Sequence, residues 1–119
     1  MRALVIEAES QETRVIDIPR EASLKPLQEA VGGLVQCVAL PQNGVDMWLN
    51  EEGKLIGLLT NMSATKVWES EYGPTDIMAG NVVFTGPADE EGYATDLDEE
   101  VAESLQIFTQ AIRMATWGY

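Results

Sequence analysis

The reactive side chains of this sequence are almost all carboxylates. It has 20 Asp and Glu residues, no histidine and one cysteine among 119 residues. The absence of histidine excludes histidine-based acid–base catalysis, thiol–histidine pairs and the usual zinc sites. The lysines Lys25, Lys54 and Lys66 stand in no motif with a serine nucleophile. We therefore expect no catalytic residues, no metal and no cofactor, and a function other than catalysis is favoured.

One segment towards the carboxyl end concentrates the negative charge. Eight carboxylates fall within fifteen residues, and no Lys or Arg occurs between Val67 and Ile112. Carboxylates in the first turn of a helix complement the positive end of its macrodipole, which gives part of this density a structural explanation. The alternative is a surface that binds a positively charged partner. The acidic segment comprises Asp89, Glu90, Glu91, Asp96, Asp98, Glu99, Glu100 and Glu103.

The net charge of −13 limits the partners of the acidic segment. A phosphate backbone is repelled by the average field of such a chain, so we expect no direct binding of nucleic acid. A basic protein surface is attracted, including the groove of a DNA-binding protein. Glu99 and Glu103 lie one helical turn or about 6 Å apart, comparable with phosphates along a strand. Two such residues do not by themselves make a DNA mimic.

The acidic segment fails the pattern of an EF-hand calcium loop. Gly92 at the sixth position would put Pro87 at the first position and Asp98 at the twelfth. The first ligand is then absent and the bidentate Glu is replaced. Weak association of Mg²⁺ or Ca²⁺ with clustered carboxylates stays open.

Two β-branched segments at the amino end, Ala3–Ile6 and Thr13–Ile18, predict a hairpin. The second segment has an imperfect apolar side, which is typical of an edge strand. Ser23 is expected to cap a short helix that ends at Gly32–Gly33.

The near-continuous apolar run Leu34–Leu40 is typical of a central strand covered on both faces. Cys37 would then be a small buried hydrophobic residue rather than a nucleophile. Val45–Asn50 predicts the next strand. Gly53 is expected in the left-handed region of a hairpin loop, after which Leu55–Leu59 returns as a strand.

Two further helices and one strand complete the predicted elements. Asn61 or Ser63 begins the second helix, which Gly73 ends, and the last strand centres on residues 82–84. Thr95 or Asp96 is expected to cap the longest helix. The stripe that should cover the sheet consists of Leu97, Val101, Leu105, Phe108, Ile112 and Ala115.

These elements predict a single α+β domain over residues 1–119. Its mostly antiparallel sheet has about five strands, with two short helices and one long C-terminal helix. The helices are expected to pack largely on one face. Apolar runs of four to five residues are far below the roughly 20 needed to cross a bilayer, so no membrane partner is expected.

Aromatic residues provide further candidates for binding. Trp48 and Trp68 each fit a core position better than a ligand platform. Trp117 and Tyr119 follow the last predicted turns, so these rings either pack back on the domain or anchor a second copy. A homodimer through Trp117 and Tyr119 therefore stays open.

An ordered set of short motifs resembles a known family. The set covers roughly residues 1–86 and begins with the opening Met-x-Ala-Leu-Val-Ile strand. The chain resembles short uncharacterised proteins, a domain of unknown function, found in bacteriophages, plasmids and actinobacteria. Where many members have Leu-Pro-x-Asn, this chain has Leu-Leu-Thr-Asn at residues 58–61. The other motifs are Leu27–Gly33, Asn50–Leu55, Ala64–Thr65 and Ile77–Val83.

The resemblance implies a context rather than an activity. It implies an accessory protein of phages or mobile elements that acts in a bacterial cytoplasm. The residues that recur in the family pattern, which also have turn or cap explanations, are Asn50, Gly53, Asn61, Thr65 and Gly80.

Two hypotheses follow for the function. The first is a non-enzymatic accessory protein whose acidic segment binds a host or phage protein with a basic surface, for example as an inhibitor. The alternative is a small-molecule, nucleotide-like binding or enzymatic domain with a polar pocket at Asn61, Thr65 and Trp68.

Overall fold

Five antiparallel strands form the centre of the molecule in the computed structural model, which describes residues 1–118. The strands are β1 (Arg2–Ile6), β2 (Thr13–Asp17), β3 (Val35–Leu40), β4 (Val45–Asn50) and β5 (Val82–Thr85). Their spatial order is β2-β1-β5-β4-β3. The late strand β5 therefore lies between β1 and β4 and joins two hairpins into one sheet.

Three helices cover this sheet on both faces. They are α1 (Leu24–Val31), α2 (Met62–Tyr72) and α3 (Glu99–Trp117), with a short 3₁₀ turn at Pro41–Asn43. Within residues 1–118, none of the helices has the length and apolar character needed to cross a membrane. The predicted α+β class is confirmed, including the antiparallel five-stranded sheet, the two short helices and the long last helix.

Alternate residues of the central strands point to opposite faces and so build two cores. Val5 and Val83 pack with Leu27 of α1 on one face. Leu4 and Phe84 pack on the other face, where α2 and α3 lie. The expectation that the helices pack largely on one face thus fails for α1, because β1 and β5 are apolar on both sides and need cover on both.

The expected central position of β3 is wrong. Within residues 1–118, β3 pairs only with β4 and forms an edge of the sheet, and most of its residues are partly or fully exposed. Cys37 is exposed rather than buried. An apolar run indicates a strand but not its place in the sheet. That place is decided here by β5, which pairs with β1 and β4 from far along the chain.

The expected return strand Leu55–Leu59 is a turn. The amide of Ile56 donates to the carbonyl of Glu52, and the amide of Leu58 donates to the carbonyl of Gly53. These amides are therefore not available for hydrogen bonds to a neighbouring strand. Gly57, at φ 74°, and not Gly53 has the left-handed backbone. Gly53 is required for another reason, since a Cβ there would lie 3.0 Å from the carbonyl oxygen of Ala79.

The cap expected for α3 at Thr95 or Asp96 is wrong, and the cap expected for α1 at Ser23 is right in its position but not in its hydrogen bond. Ser23 occupies the N-cap position of α1 but makes no capping hydrogen bond with its side chain. Asp98 caps α3 by accepting from the amides of Glu100 and Val101. Thr95 instead donates to the carbonyl of Pro87, and Asp96 accepts from the amide of Arg2, so neither side chain is free for the cap.

A buried amide pair holds the turn between β1 and β2 against the start of α2. Asn61 is the predicted N-cap of α2 and is fully buried. Its amide donates to the carbonyls of Ile6 and Gly80 at 3.0 and 3.1 Å, while its oxygen accepts from Ala64 and from Gln11. Asn61 therefore connects β1, the segment before β5 and α2.

Gln11 completes this network and has a strained, left-handed backbone conformation. It is 1% exposed and is the one non-glycine residue with a left-handed backbone among residues 1–118, at φ 55°. Its side-chain oxygen accepts from the amide and the hydroxyl of Ser63, and its amide donates to Asn61 and to the carbonyl of Glu7. Such strain persists only where surrounding contacts fix it.

We expect Asn61→Ala to lower the free energy of unfolding by about 3 kcal/mol, since it removes a cap and leaves buried polar partners unpaired. Asp98→Ala is the matched control. It removes the cap of α3 at an exposed position, for an expected loss of about 1 kcal/mol. Urea unfolding followed by circular dichroism measures both. Equal losses would contradict a special role for the buried network.

Candidate functional site

Intramolecular contacts divide seven of the eight residues of the acidic segment into three groups, and Asp98 stands apart as a helix cap. In the first group, the Arg20 guanidinium pairs with Asp89 and lies 4.0 Å from a carboxylate oxygen of Glu91. It also stacks 4.5 Å from the centroid of the Tyr93 ring. The hydrogen bond from Arg20 lowers the pKa of Asp89 below its ordinary value. These carboxylates fix the loop before α3 to the segment after β2.

The second group surrounds Arg2 at the beginning of β1. The amide of Arg2 donates to Asp96, its Nε donates to the carbonyl of Leu97 at 2.8 Å, and its Nη1 lies 3.5 Å from Glu99. The amide of Leu97 returns a bond to the carbonyl of Arg2. This group therefore attaches the start of α3 to the sheet.

The third group consists of Glu90, Glu100 and Glu103, which are exposed and have no ion-pair partner within residues 1–118. Asp98 is exposed too but serves as the cap of α3. The whole segment has eight carboxylates, and its partners Arg2 and Arg20 provide two positive charges. Six negative charges are therefore uncompensated. Pairing thus reduces the negative potential without removing it.

A groove of about 610 Å³ lies between α2 and α3, next to the third group. Its floor is apolar and includes Val67, Leu105 and Phe108, while Asp98 and Glu100 stand at the start of α3. Lys66, the basic residue of this wall, lies 3.3 Å from the Glu69 carboxylate. The remaining lining residues are Gln42, Asn43, Val45, Ser70, Val101 and Ser104. We call this feature the α2–α3 groove.

The groove arises because the apolar stripe of α3 is only partly used by the sheet. Leu105 is buried in the core, whereas Val101 and Phe108 pack against that core and stay partly exposed. The expectation that the whole stripe covers the sheet leaves out the α2 residues that lie opposite. The helical spacing of Lys66, Val67 and Ser70 is the signal that could have indicated a second wall.

The expected pocket at Asn61, Thr65 and Trp68 has a different character in the structure. Asn61 and Thr65 are buried, and Thr65 Oγ1 accepts from the amide of Met78 at 2.9 Å. Trp68 is partly exposed and donates from its indole to Thr75 Oγ1 at 3.0 Å. Trp68 lines a second cavity, of about 310 Å³ beside β3, whose lining includes neither Asn61 nor Thr65.

The other aromatic candidates are separated from these cavities. Trp48 packs against the core on the α1 side and donates to Thr85 Oγ1 at 2.9 Å. Trp117 ends α3 and is 40% exposed. Tyr119 lies outside the described residues, so a homodimer through Trp117 and Tyr119 stays a prediction. Among residues 1–118, no three carboxylate or thiol side chains converge as ligands for a metal ion.

Cys37 has the environment of an unreactive thiol although the residue is exposed. Local desolvation and the negative charge of Asp46 raise the pKa of the Cys37 thiol to about 12. Desolvation also raises the pKa of Asp46, whose carboxylate accepts from the amide of Ala88. The expectation that Cys37 is not a nucleophile therefore depends on the raised pKa of its thiol and not, as the sequence predicted, on burial of the residue.

The family comparison matches nearly the whole described chain. A family model with the description "Domain of unknown function (DUF3846)" covers residues 1–111. The match extends beyond the roughly 86 residues of the sequence resemblance and includes most of α3. No curated protein and no solved structure matches the chain.

We expect Cys37 to react slowly with iodoacetamide at pH 8. The pKa of its thiol is about 12, against an ordinary value of 9.0, so the thiolate fraction is about a thousandfold smaller than that of a free cysteine. Asp46→Asn removes the nearby negative charge, so it should lower the pKa of Cys37 and speed alkylation. Mass spectrometry of timed samples from pH 7 to 10 measures the rates. A wild-type rate equal to that of a free cysteine would contradict this environment.

Proposed function

The chain belongs to the DUF3846 family of domains of unknown function, and we propose that it is a protein-binding domain whose α2–α3 groove takes a basic amphipathic helix of a partner. The observation that carries this proposal is the combination of an apolar floor with carboxylates at the rim. Helix-in-groove recognition uses such a surface, since the apolar face of the partner enters the groove and its charged face meets the rim.

The apolar contribution comes from the partly exposed side chains of Val101 and Phe108. Both pack against the core on one side and line the groove on the other. Aromatic residues in such positions often dominate the binding energy of an interface. We therefore assign to Phe108 the main apolar contact with the partner helix.

Charge selects the partner. Glu100 lines the groove without an ion-pair partner in residues 1–118, and the surrounding acidic segment keeps its excess of negative charge. A partner with Lys or Arg beside its apolar stripe is attracted, whereas an acidic helix is repelled. Of the eight predicted residues, Asp98 and Glu100 line the groove, while Glu90 and Glu103 contribute to the field around it.

The alternative of a small-molecule or enzymatic pocket at Asn61, Thr65 and Trp68 has less support. The oxygen and nitrogen atoms of Asn61 are used in four hydrogen bonds that hold the fold together. Thr65 likewise accepts from a backbone amide, and neither residue lines the cavity that Trp68 lines. These two polar groups are therefore not available to a ligand.

We extend the proposal to the biological context that the sequence resemblance implies. The domain would act as an accessory protein of a phage or mobile element in a bacterial cytoplasm. Its partner would be a host or phage protein, and occupation of the groove would block the partner's basic surface. The net charge of −13 supports such a role because it speeds association with a basic surface.

A helical peptide built from Lys and Leu tests the groove, with an otherwise identical Glu and Leu peptide as the charge control. We expect the basic peptide to bind and Glu100→Lys to weaken this binding about tenfold, because it reverses a charge at the rim. Glu29→Lys is the matched variant, since it changes the net charge equally at an exposed position on α1. Fluorescence anisotropy measures the affinities.

Phe108→Ser provides the apolar arm of the same experiment and should weaken binding by about tenfold or more. The affinity should also fall with rising salt. The proposal is overturned if the acidic peptide binds equally well, or if Glu100→Lys and Glu29→Lys behave alike.

A further inference from the structure

The outer edge of β3 has no partner strand within residues 1–118. Antiparallel ladders alternate, so that every second residue turns its amide and carbonyl away from its neighbour. The carbonyl of Leu34 accepts from Glu51 beside β4, so Leu34, Gln36 and Val38 face β4. Val35, Cys37 and Ala39 therefore present their backbone groups to the free edge.

Tyr72 supports this assignment and limits the free edge. Its hydroxyl donates to the carbonyl of Ala39, which must therefore be accessible from outside the β3–β4 ladder. Tyr72 closes this end of the strand. The backbone groups of Val35 and Cys37 remain for an added strand.

The two edges of the sheet differ in their protection against pairing. β2, at the opposite edge, carries Arg14 and Asp17, and Arg14 lies 3.6 Å from Glu7. β3 contains neither charged residues nor proline or glycine. Charged residues and proline are the usual means by which edge strands avoid a further strand. β3 lacks both and is therefore the edge that accepts one.

A cavity lies directly beside this unprotected edge. Gln36 and Val38, the β3 residues that face α2, line the cavity of about 310 Å³ together with Trp68. Ile77 and Leu55 also line it, although they are 48% and 87% exposed. Residues opposite each other in a ladder share a face, so an added strand would place a side chain at this cavity. Its apolar lining suits a Val, Leu or Ile.

The charges around the cavity indicate which strand fits. Glu51 and Asp76 line it, and the one cation among the lining residues, Lys54, is paired with Asp76. The net charge of −13 on each copy also disfavours pairing between two copies of this chain. Charge therefore favours a partner segment that carries Lys or Arg two residues from its apolar residue, on the same face of the added strand.

We propose that β3 is a second binding surface, at which an extended basic segment of another protein adds a strand beside Val35–Val38 and inserts an apolar side chain between Val38, Trp68 and Ile77. Backbone bonds provide affinity in this mode, and the cavity provides the choice of side chain. The surface is separate from the α2–α3 groove and does not depend on its function.

A capped peptide of the repeat Val-Thr-Lys-Thr is the probe, because it places Val and Lys on the same face of the added strand. Its control has the same side chains but N-methyl groups on alternate amides, which block strand pairing. We expect only the unmodified peptide to slow amide hydrogen exchange at Val35 and Cys37, by about tenfold. It should also shift the indole NMR signal of Trp68. Protection elsewhere without change at these positions overturns the proposal.

Cys37→Pro is the decisive variant, because it removes an outward amide while the amides that face β4 remain. We expect it to abolish peptide binding, whereas Cys37→Val, its matched control, retains it. Circular dichroism establishes that each variant is folded. Equal binding by the two variants overturns the proposal.

Ile77→Lys provides a test that leaves the β3 backbone unchanged. A positive charge at the cavity should weaken binding of the basic peptide about tenfold, while Ile107→Lys, at an exposed position of α3, leaves it unchanged. Glu100→Lys should also leave it unchanged, which separates this surface from the groove. Sedimentation equilibrium should show the same oligomeric state for the wild type and for Cys37→Pro. A dimer that Cys37→Pro dissociates would assign the edge to a second copy and overturn the proposal.

Discussion

The buried hydrogen bond between Gln11 and Asn61 fixes how α2 is placed on the sheet. It joins the turn after β1 to the first turn of α2, and the other bonds of Asn61 reach Ile6 and Gly80. Buried polar groups are costly when unpaired, so each member of this network requires the others. The left-handed backbone of Gln11 is tolerated for the same reason. As a result, α2 has a defined position, and with it one wall of each candidate binding surface.

The acidic segment shows why a density of like charge in a sequence does not define a single surface. Arg2 and Arg20 come from distant parts of the chain and bind members of the segment to the sheet and to the loop after β2. Exposed ion pairs of this kind contribute little to stability, but they position carboxylates and compensate part of their charge. What remains available for a partner is the uncompensated excess around Glu100. An electrostatic role for the segment therefore concerns a field and a few rim residues more than eight equivalent contacts.

Local sequence patterns predict where the helices and strands of this fold lie, but they do not predict which strands pair with each other in the sheet. Gly32 and Asn61 mark helix ends through their own backbone and side-chain chemistry, so a reader of the sequence can place them. The central position of β5 and the edge position of β3 depend on pairings across long sequence separations, which no local pattern encodes. The same limit applies to the sites. Glu100 was identified by its charge, whereas the α2–α3 groove requires knowing that Val67 lies opposite Phe108.

Both proposed surfaces share α2, and this has a physical consequence. Val67 and Ser70 line the α2–α3 groove, while Trp68, on another side of the helix, lines the cavity beside β3. A short helix has little stability of its own and takes its position from tertiary contacts, here the Asn61 cap and the contact of Tyr72 with β3. A partner that shifts α2 at one surface would therefore alter the other. Coupling between the two surfaces would require that α2 have a second position whose population each partner changes, because both walls belong to the same helix.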